Sequence, residues 1–197
     1  SMLWEEHICY FTPESLRLKL DSLGYTLQNY IIYNYPQEDA IIGIFNSTSP
    51  TNICNLKTIK PIGELAIADT YQNKLHTLKS EIKIYLSKLI QTYGNIVIFG
   101  AGHRAVMFIN LLDIAEYIMF VVDDDQNKQF LRLPLSKLEI KPSSEIYKHD
   151  VRVCIFSINL DSEKNVINLI NSKTNNSIQY YSISPDSEFR LPIFELI

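Results

Sequence analysis

The chain has 197 residues, 46% hydrophobic and 20% charged, the make-up of an ordinary soluble globular protein with room for one domain and an attachment, or two small ones. No unbroken apolar run reaches the length of a membrane-spanning helix, and a net charge of -4 without any basic run leaves no field for nucleic acid. Cys9, Cys54 and Cys154 are odd in number and far apart, which suggests neither a zinc site nor a disulfide framework and fits a reducing cytoplasm.

Ser1-Met2 reads as a cloning scar, so the natural start is expected upstream. Trp4-Glu5-Glu6-His7 comes next and is the densest polar cluster. A carboxylate beside an imidazole suits general acid/base work, because the acid orients the ring and moves its pKa toward neutrality. A solvated triplet is the plainer reading. Ile8-Cys9-Tyr10-Phe11 is apolar, and Thr12-Pro13-Glu14 predicts a helix start with Thr12 as N-cap, which would hold the Glu6–His7 pair on a rigid support. Leu16, Leu20 and Leu23 give this helix one apolar face, and Gly24 ends it. Tyr25 to Tyr35 and Ala40 to Asn46 then read as an antiparallel hairpin split by Pro36-Gln37-Glu38-Asp39. One helix and one hairpin cannot bury enough apolar surface to stand alone. Residues 3–46 are therefore expected to be the end of a larger domain, or else an extra edge on the α/β unit C-terminal to them.

From Ser47 to Pro61 the chain turns to Ser, Thr, Asn and Pro, a connector. A long helix is predicted from about Ala68 to Tyr93, with Leu75, Leu78, Ile82, Tyr85, Leu86 and Leu89 on one face and Gly94 at its end. His76 on this helix reads as a surface residue. Asn95 to Phe99 is a β-branched run, Gly100-Ala101-Gly102 a turn, Arg104 to Leu112 a helix, and Ile118 to Val122 a second buried strand ending on acids. Val151 to Ser157, Leu160 to Ile170 and Ile178 to Ser182 continue as strand, helix and strand. Strands alternating with helices define an α/β fold: a Rossmann-like parallel sheet with flanking helices, preceded by a helix plus antiparallel hairpin. The expected division is 1–49, a linker at 50–67, and the Rossmann-like domain at 68–197.

The turn reads Gly100-x-Gly102-x-x-Ala105, and Asp123 stands at the tip of the next strand, about 20 residues on, where a ribose-binding acid is expected. Backbone N–H groups at the helix start can face an anion. Arg104 could grip a phosphate as a charged fork, with Lys128 assisting and His103 beside it. A nucleotide or sugar nucleotide is the ligand such a turn would hold. The same glycines would equally serve a tight turn in a domain that binds nothing there, since the third small position is Ala and His103 and Arg104 are bulky. Asp123-Asp124-Asp125 alternate in direction at a strand end, so no metal is expected; Asp123 is the single sugar contact and its neighbours are solvated. His103 and His149 have no visible partner in the sequence.

Taken together, WEEHICYFTPESL, the hairpin, the long helix, IVIFGAGHRAVMFINLL, FVVDDDQNKQ and LPLSKLEIKPSSEI resemble the C-terminal part of S-adenosylmethionine-dependent C-methyltransferases that act on nucleotide-linked deoxysugars. The resemblance implies that residues 1–49 close a class I methyltransferase domain and that the sugar nucleotide sits in a cleft between it and the Rossmann-like domain. The family motif Tyr-x-Glu-His falls on Trp4-Glu5-Glu6-His7, which makes His7 the base by resemblance and Glu6 its orienting or sugar-binding partner. Trp4 departs by lacking the phenol. The family also carries Asp-Asp/Arg-Asn-Pro-x-Lys-x-Gly and then Pro-Gly, where this chain has Phe130 and Leu135 in place of the glycines. The family's glycine-rich S-adenosylmethionine motif belongs to the preceding domain, and nothing in residues 1–93 resembles it. By resemblance the parent enzyme uses S-adenosylmethionine, while this chain lacks the donor site, binds no cofactor and is inactive alone. A small-molecule substrate is the implied partner, a homodimer is compatible, and the location is cytoplasmic. The alternative is a stand-alone Rossmann-like module that binds a nucleotide or sugar nucleotide.

Overall fold

A computed structural model describes residues 9–35, 39–47, 62–174 and 177–193. The chain divides into two compact units, Ser1–Asn73 and Lys74–Ile197.

In the first unit, α1 (Pro13–Asp21) begins at Thr12, whose hydroxyl accepts from the Ser15 N–H at 3.1 Å while Ser15 Oγ accepts from the Thr12 N–H at 2.8 Å. This reciprocal pair satisfies two of the donors that a helix start leaves open. β1 (Tyr25–Asn34) and β2 (Asp39–Ser47) form an antiparallel two-stranded sheet of their own, in register from Tyr25 opposite Ser47 to Asn34 opposite Asp39, with a bulge at Gln28. Among the described residues the hairpin is only partly covered: Leu27, Ile41 and Phe45 are half-buried. The consecutive Tyr30, Ile31, Ile32 and Tyr33 are all exposed, as are Ile42 and Ile44 on β2. An isolated hairpin of this kind is at best marginally stable in water.

The next helix, α2, runs Ile62–Thr92. It begins before the predicted Ala68 because Glu64, Leu65, Ala66 and Ala68 are strong helix formers, although Leu65 and Ile67 are exposed and so leave no burial rhythm to read. In the second unit, Ile82, Leu86 and Leu89 are buried, and Leu75, Leu78 and Tyr85 pack beside them. The remaining elements are β3 (Asn95–Phe99), α3 (His103–Leu112), β4 (Ile118–Val122), β5 (Ile140–Lys141), α4 (Glu145–Lys148), β6 (Val151–Phe156), α5 (Leu160–Asn171) and β7 (Gln179–Ser182). The sheet is parallel throughout, in the order β5-β4-β3-β6-β7.

Strand alternation splits the core into two layers. Ile96, Ile98, Val121, Val153 and Ile155 face one side with α2 and α3, through Leu86, Ala105 and Ile109. Val97, Phe99, Phe120, Val122, Cys154 and Phe156 face the other with α4 and α5, through Ile146 and Ile170. This is the doubly covered α/β sheet expected from the sequence. β3 is its centre: the chain winds from β3 through β4 to β5 on one side, then crosses to β6 and β7 on the other. The carboxyl ends of β3 and β6 therefore flank the point where winding reverses, where open α/β sheets take their ligands.

Between β4 and β5 the chain keeps the backbone that glycine would favour without the glycines. Phe130 has φ 66° and Leu135 has φ 59°, the left-handed region, at the two positions where the resemblance leads one to expect Gly. Their side chains are 74% and 84% exposed, so little packing offsets the strain. Phe130→Gly and Leu135→Gly are each expected to stabilise the chain by about 0.5–1 kcal/mol, read as a higher urea midpoint. A lower midpoint in both variants would show that the exposed rings and methyls hold the loop.

Candidate functional site

The turn after β3 is shaped by two glycines with different reasons to be there. Gly100 has φ 107°, and a Cβ on it would lie 2.7 Å from the Ser157 carbonyl oxygen and 2.8 Å from Ile158 Cγ2. Its N–H donates to Val122 O at 2.7 Å, while the Ser157 N–H donates to Phe99 O at 2.8 Å. Gly100 is thus required by the close passage of the β6–α5 connection, whatever binds nearby. Gly102 is the opposite case: its backbone is extended, with φ −96° and ψ −178°, and nothing lies within 4 Å of where a Cβ would stand. Neither conformation nor packing requires glycine there. It caps α3 with a bare Cα and open space above it.

Asp123 is spent largely on this turn. Its Oδ2 accepts from the Ala101 N–H at 2.9 Å and from Lys128 Nζ at 3.1 Å, and its Oδ1 accepts from the Asp125 N–H at 3.0 Å. Burial opposes ionisation of the carboxyl, but the two backbone N–H groups and the Lys128 ammonium outweigh it and hold its pKa below the ordinary carboxylate value. Three of about four acceptor positions are filled, leaving one for a ligand hydroxyl. A depressed pKa means that this group's contribution to stability is complete above the unfolded carboxyl value, about 3.9, and is lost as pH falls through the lower folded value. In an acid titration of stability, Asp123→Asn is expected to remove part of that loss; an unchanged acid limb would mean that Asp123 does not carry it.

The other two acids take separate tasks. Asp124 Oδ1 accepts from the Ser143 N–H at 2.8 Å, and Asp125 Oδ1 accepts from the Asn127 N–H at 3.0 Å. Both are exposed, as expected, yet each pins its own loop. Among the described residues no group of three His, Cys, Asp or Glu could hold a metal ion.

Arg104, in the first turn of α3, is partly buried, and that burial lowers its pKa against the opposing field of Glu163. Glu163 is a residue that the sequence did not single out. It lies in the first turn of α5, is 2% exposed, and accepts from Ser182 Oγ at 2.7 Å and Ser187 Oγ at 2.6 Å. The two hydroxyls in turn accept from the Ser184 and Phe189 N–H groups. Glu163 therefore organises the segment after β7 and presents its charge to Arg104. A hollow of about 370 Å³ borders it, but Asp161, Asp186 and Glu188 line that space against Lys164 alone, which is the wrong sign for a phosphate.

Gly100, Gly102, His103 and Arg104 thus share the β3–α3 turn, with Asp123 and Lys128 tied to it at the end of β4. His149, without a visible partner in the sequence, stands 3.3 Å from Glu145 one helical turn before it. His76 is exposed on α2. Glu6 and His7 lie outside the described residues, as does Cys54. Cys154 is buried, and burial pushes its thiol far up, so it is inert at neutral pH.

A parallel sheet ordered 5-4-3-6-7, with its glycine turn at the reversal of winding, defines a Rossmann-like domain. The chain belongs to the C-methyltransferase C-terminal domain family, whose model matches residues 54–168. No curated protein matches the chain. Among the described residues no helix is long and apolar enough to cross a membrane.

Proposed function

We propose that this chain is the substrate-binding portion of an S-adenosylmethionine-dependent methyltransferase and that it holds a nucleotide-linked sugar at the Gly100–Arg104 turn. The observation that carries the reading is Gly102: a helix cap at the winding reversal, with open space where a side chain would be, in a domain of the C-methyltransferase family. The α3 start favours an anion by its dipole and its backbone donors. Arg104 and Lys128 supply positive charge at the same end of the sheet, and the remaining acceptor position of Asp123 suits a sugar hydroxyl.

Within the parent enzyme, Glu6 and His7 serve as orienting acid and base for the carbon that receives the methyl group. The exposed apolar side chains of the hairpin suit residues before α2 forming the margin of a catalytic domain, since Tyr30, Ile31, Ile32 and Tyr33 call for apolar cover. S-adenosylmethionine binds to that catalytic domain. This chain alone therefore transfers no methyl group.

Labelled-methyl transfer from S-adenosylmethionine to a panel of sugar nucleotides tests this. The chain alone is expected to be inactive, and to support transfer only when joined to a donor-binding domain. Turnover by the chain alone at a rate near that of such a fusion would sink the reading.

A further inference from the structure

Ser157 is a buried hydroxyl without a partner. It is 6% exposed, and among the described residues its Oγ meets no donor or acceptor. Leaving a hydroxyl unpaired in the interior is unfavourable, and native structures rarely do it without a reason such as a ligand or an ordered water. The position is telling. Ser157 directly follows β6, and its N–H bond to Phe99 O carries the β3–β6 ladder one residue further. Val153 and Ile155 lie in the layer that holds Ala101 and Ala105, and the same alternation, continued one residue past β6, assigns Ser157 to that face of the sheet. Its backbone is also what presses on Gly100, two residues before the open cap at Gly102.

We propose that Ser157 is the side-chain donor of a diphosphate subsite at the reversal of winding. Its hydroxyl and the first turn of α3, approached across the bare Cα of Gly102, receive the diphosphate of the nucleotide-linked ligand. This rests on the Gly100–Arg104 turn being a sugar-nucleotide site and adds to it the residue that follows β6, the strand paired with β3 on the other side of the winding reversal. Gly102 leaves room for the phosphoryl oxygens, Arg104 supplies charge, and Ser157 supplies the fixed hydrogen bond that sets their depth.

UDP titrated calorimetrically into the 197-residue chain, with thermal melts of the free proteins, separates the possibilities. Ser157→Ala is expected to bind UDP about 10-fold more weakly. The same change deletes an unpaired hydroxyl, so the free variant should melt about 2–6 °C higher. Affinity and stability moving in opposite directions is the signature of a ligand-directed hydroxyl. Gly102→Ala should also lose affinity by about 10-fold or more, while the poorer N-cap lowers the melting temperature by no more than about 4 °C. Wild-type binding that Ser157→Ala leaves unchanged overturns the subsite and spares the turn. A lower melting temperature in Ser157→Ala also overturns it, because the hydroxyl would then have a structural partner. No UDP binding by the parent chain overturns both this inference and the assignment of the turn.

Discussion

Glu163→Ala is expected to cost the chain about 3 kcal/mol of stability, read as a fall in the urea midpoint and a melting temperature lower by roughly 10 °C. The cause lies in what the side chain leaves behind. Ser182 Oγ and Ser187 Oγ both donate to it in a buried setting, and alanine would leave two hydroxyls without acceptors, each unfavourable by about 1–3 kcal/mol. Arg104 would also lose the opposite charge that offsets its burial. Glu163→Gln keeps one acceptor oxygen and should lose less. If Glu163→Ala melts within about 1 °C of the parent, the segment from Ser182 to Leu191 is held by its backbone bonds alone, among them Leu191 N–H to Ser182 O at 3.0 Å.

Gly100→Ala is expected to be at least as damaging, about 3 kcal/mol or more, and to contrast with a milder Gly102→Ala, which loses only cap quality, about 1 kcal/mol. At Gly100 the methyl meets backbone atoms of Ser157, which cannot yield without breaking the β3–β6 ladder. The φ of 107° adds a penalty that no relaxation of neighbours removes. Both glycines belong to one motif, yet only the first is demanded by the fold. Equal destabilisation by the two substitutions, measured by urea unfolding, would show that the space above Gly102 is needed by the protein itself and would weaken the case for a ligand there.

The β3–α3–β4 unit is legible in the sequence because its signals are local: an apolar run, a glycine turn, a second apolar run ending on Asp123. β5 is not, since a strand of two residues has no period to detect. The three acids at 123–125 read in the sequence as one contact and two solvated neighbours, whereas each binds a different backbone N–H, a pattern set by loops that close up to 22 residues away. Glu163 reads locally as an ordinary first-turn acid of α5, and nothing in its neighbourhood announces that Ser182 and Ser187 will fold back onto it. Ser157 reads as the last residue of a buried strand. Its position beside the winding reversal is set by strand order alone, which adjacent residues do not encode. Phe130 and Leu135 show the converse, a glycine-like backbone that the residues standing there do not announce.

The most direct measurement is calorimetric titration of the chain with a nucleotide-linked sugar, set beside S-adenosylmethionine and NAD(P). Saturable binding of the sugar nucleotide, competed by UDP and weakened by Gly102→Ala, with no heat from the other two, is the result expected of a methyltransferase substrate domain. Tight binding of NAD(P) that is lost in Asp123→Ala would contradict it and make the chain a dinucleotide-binding module instead.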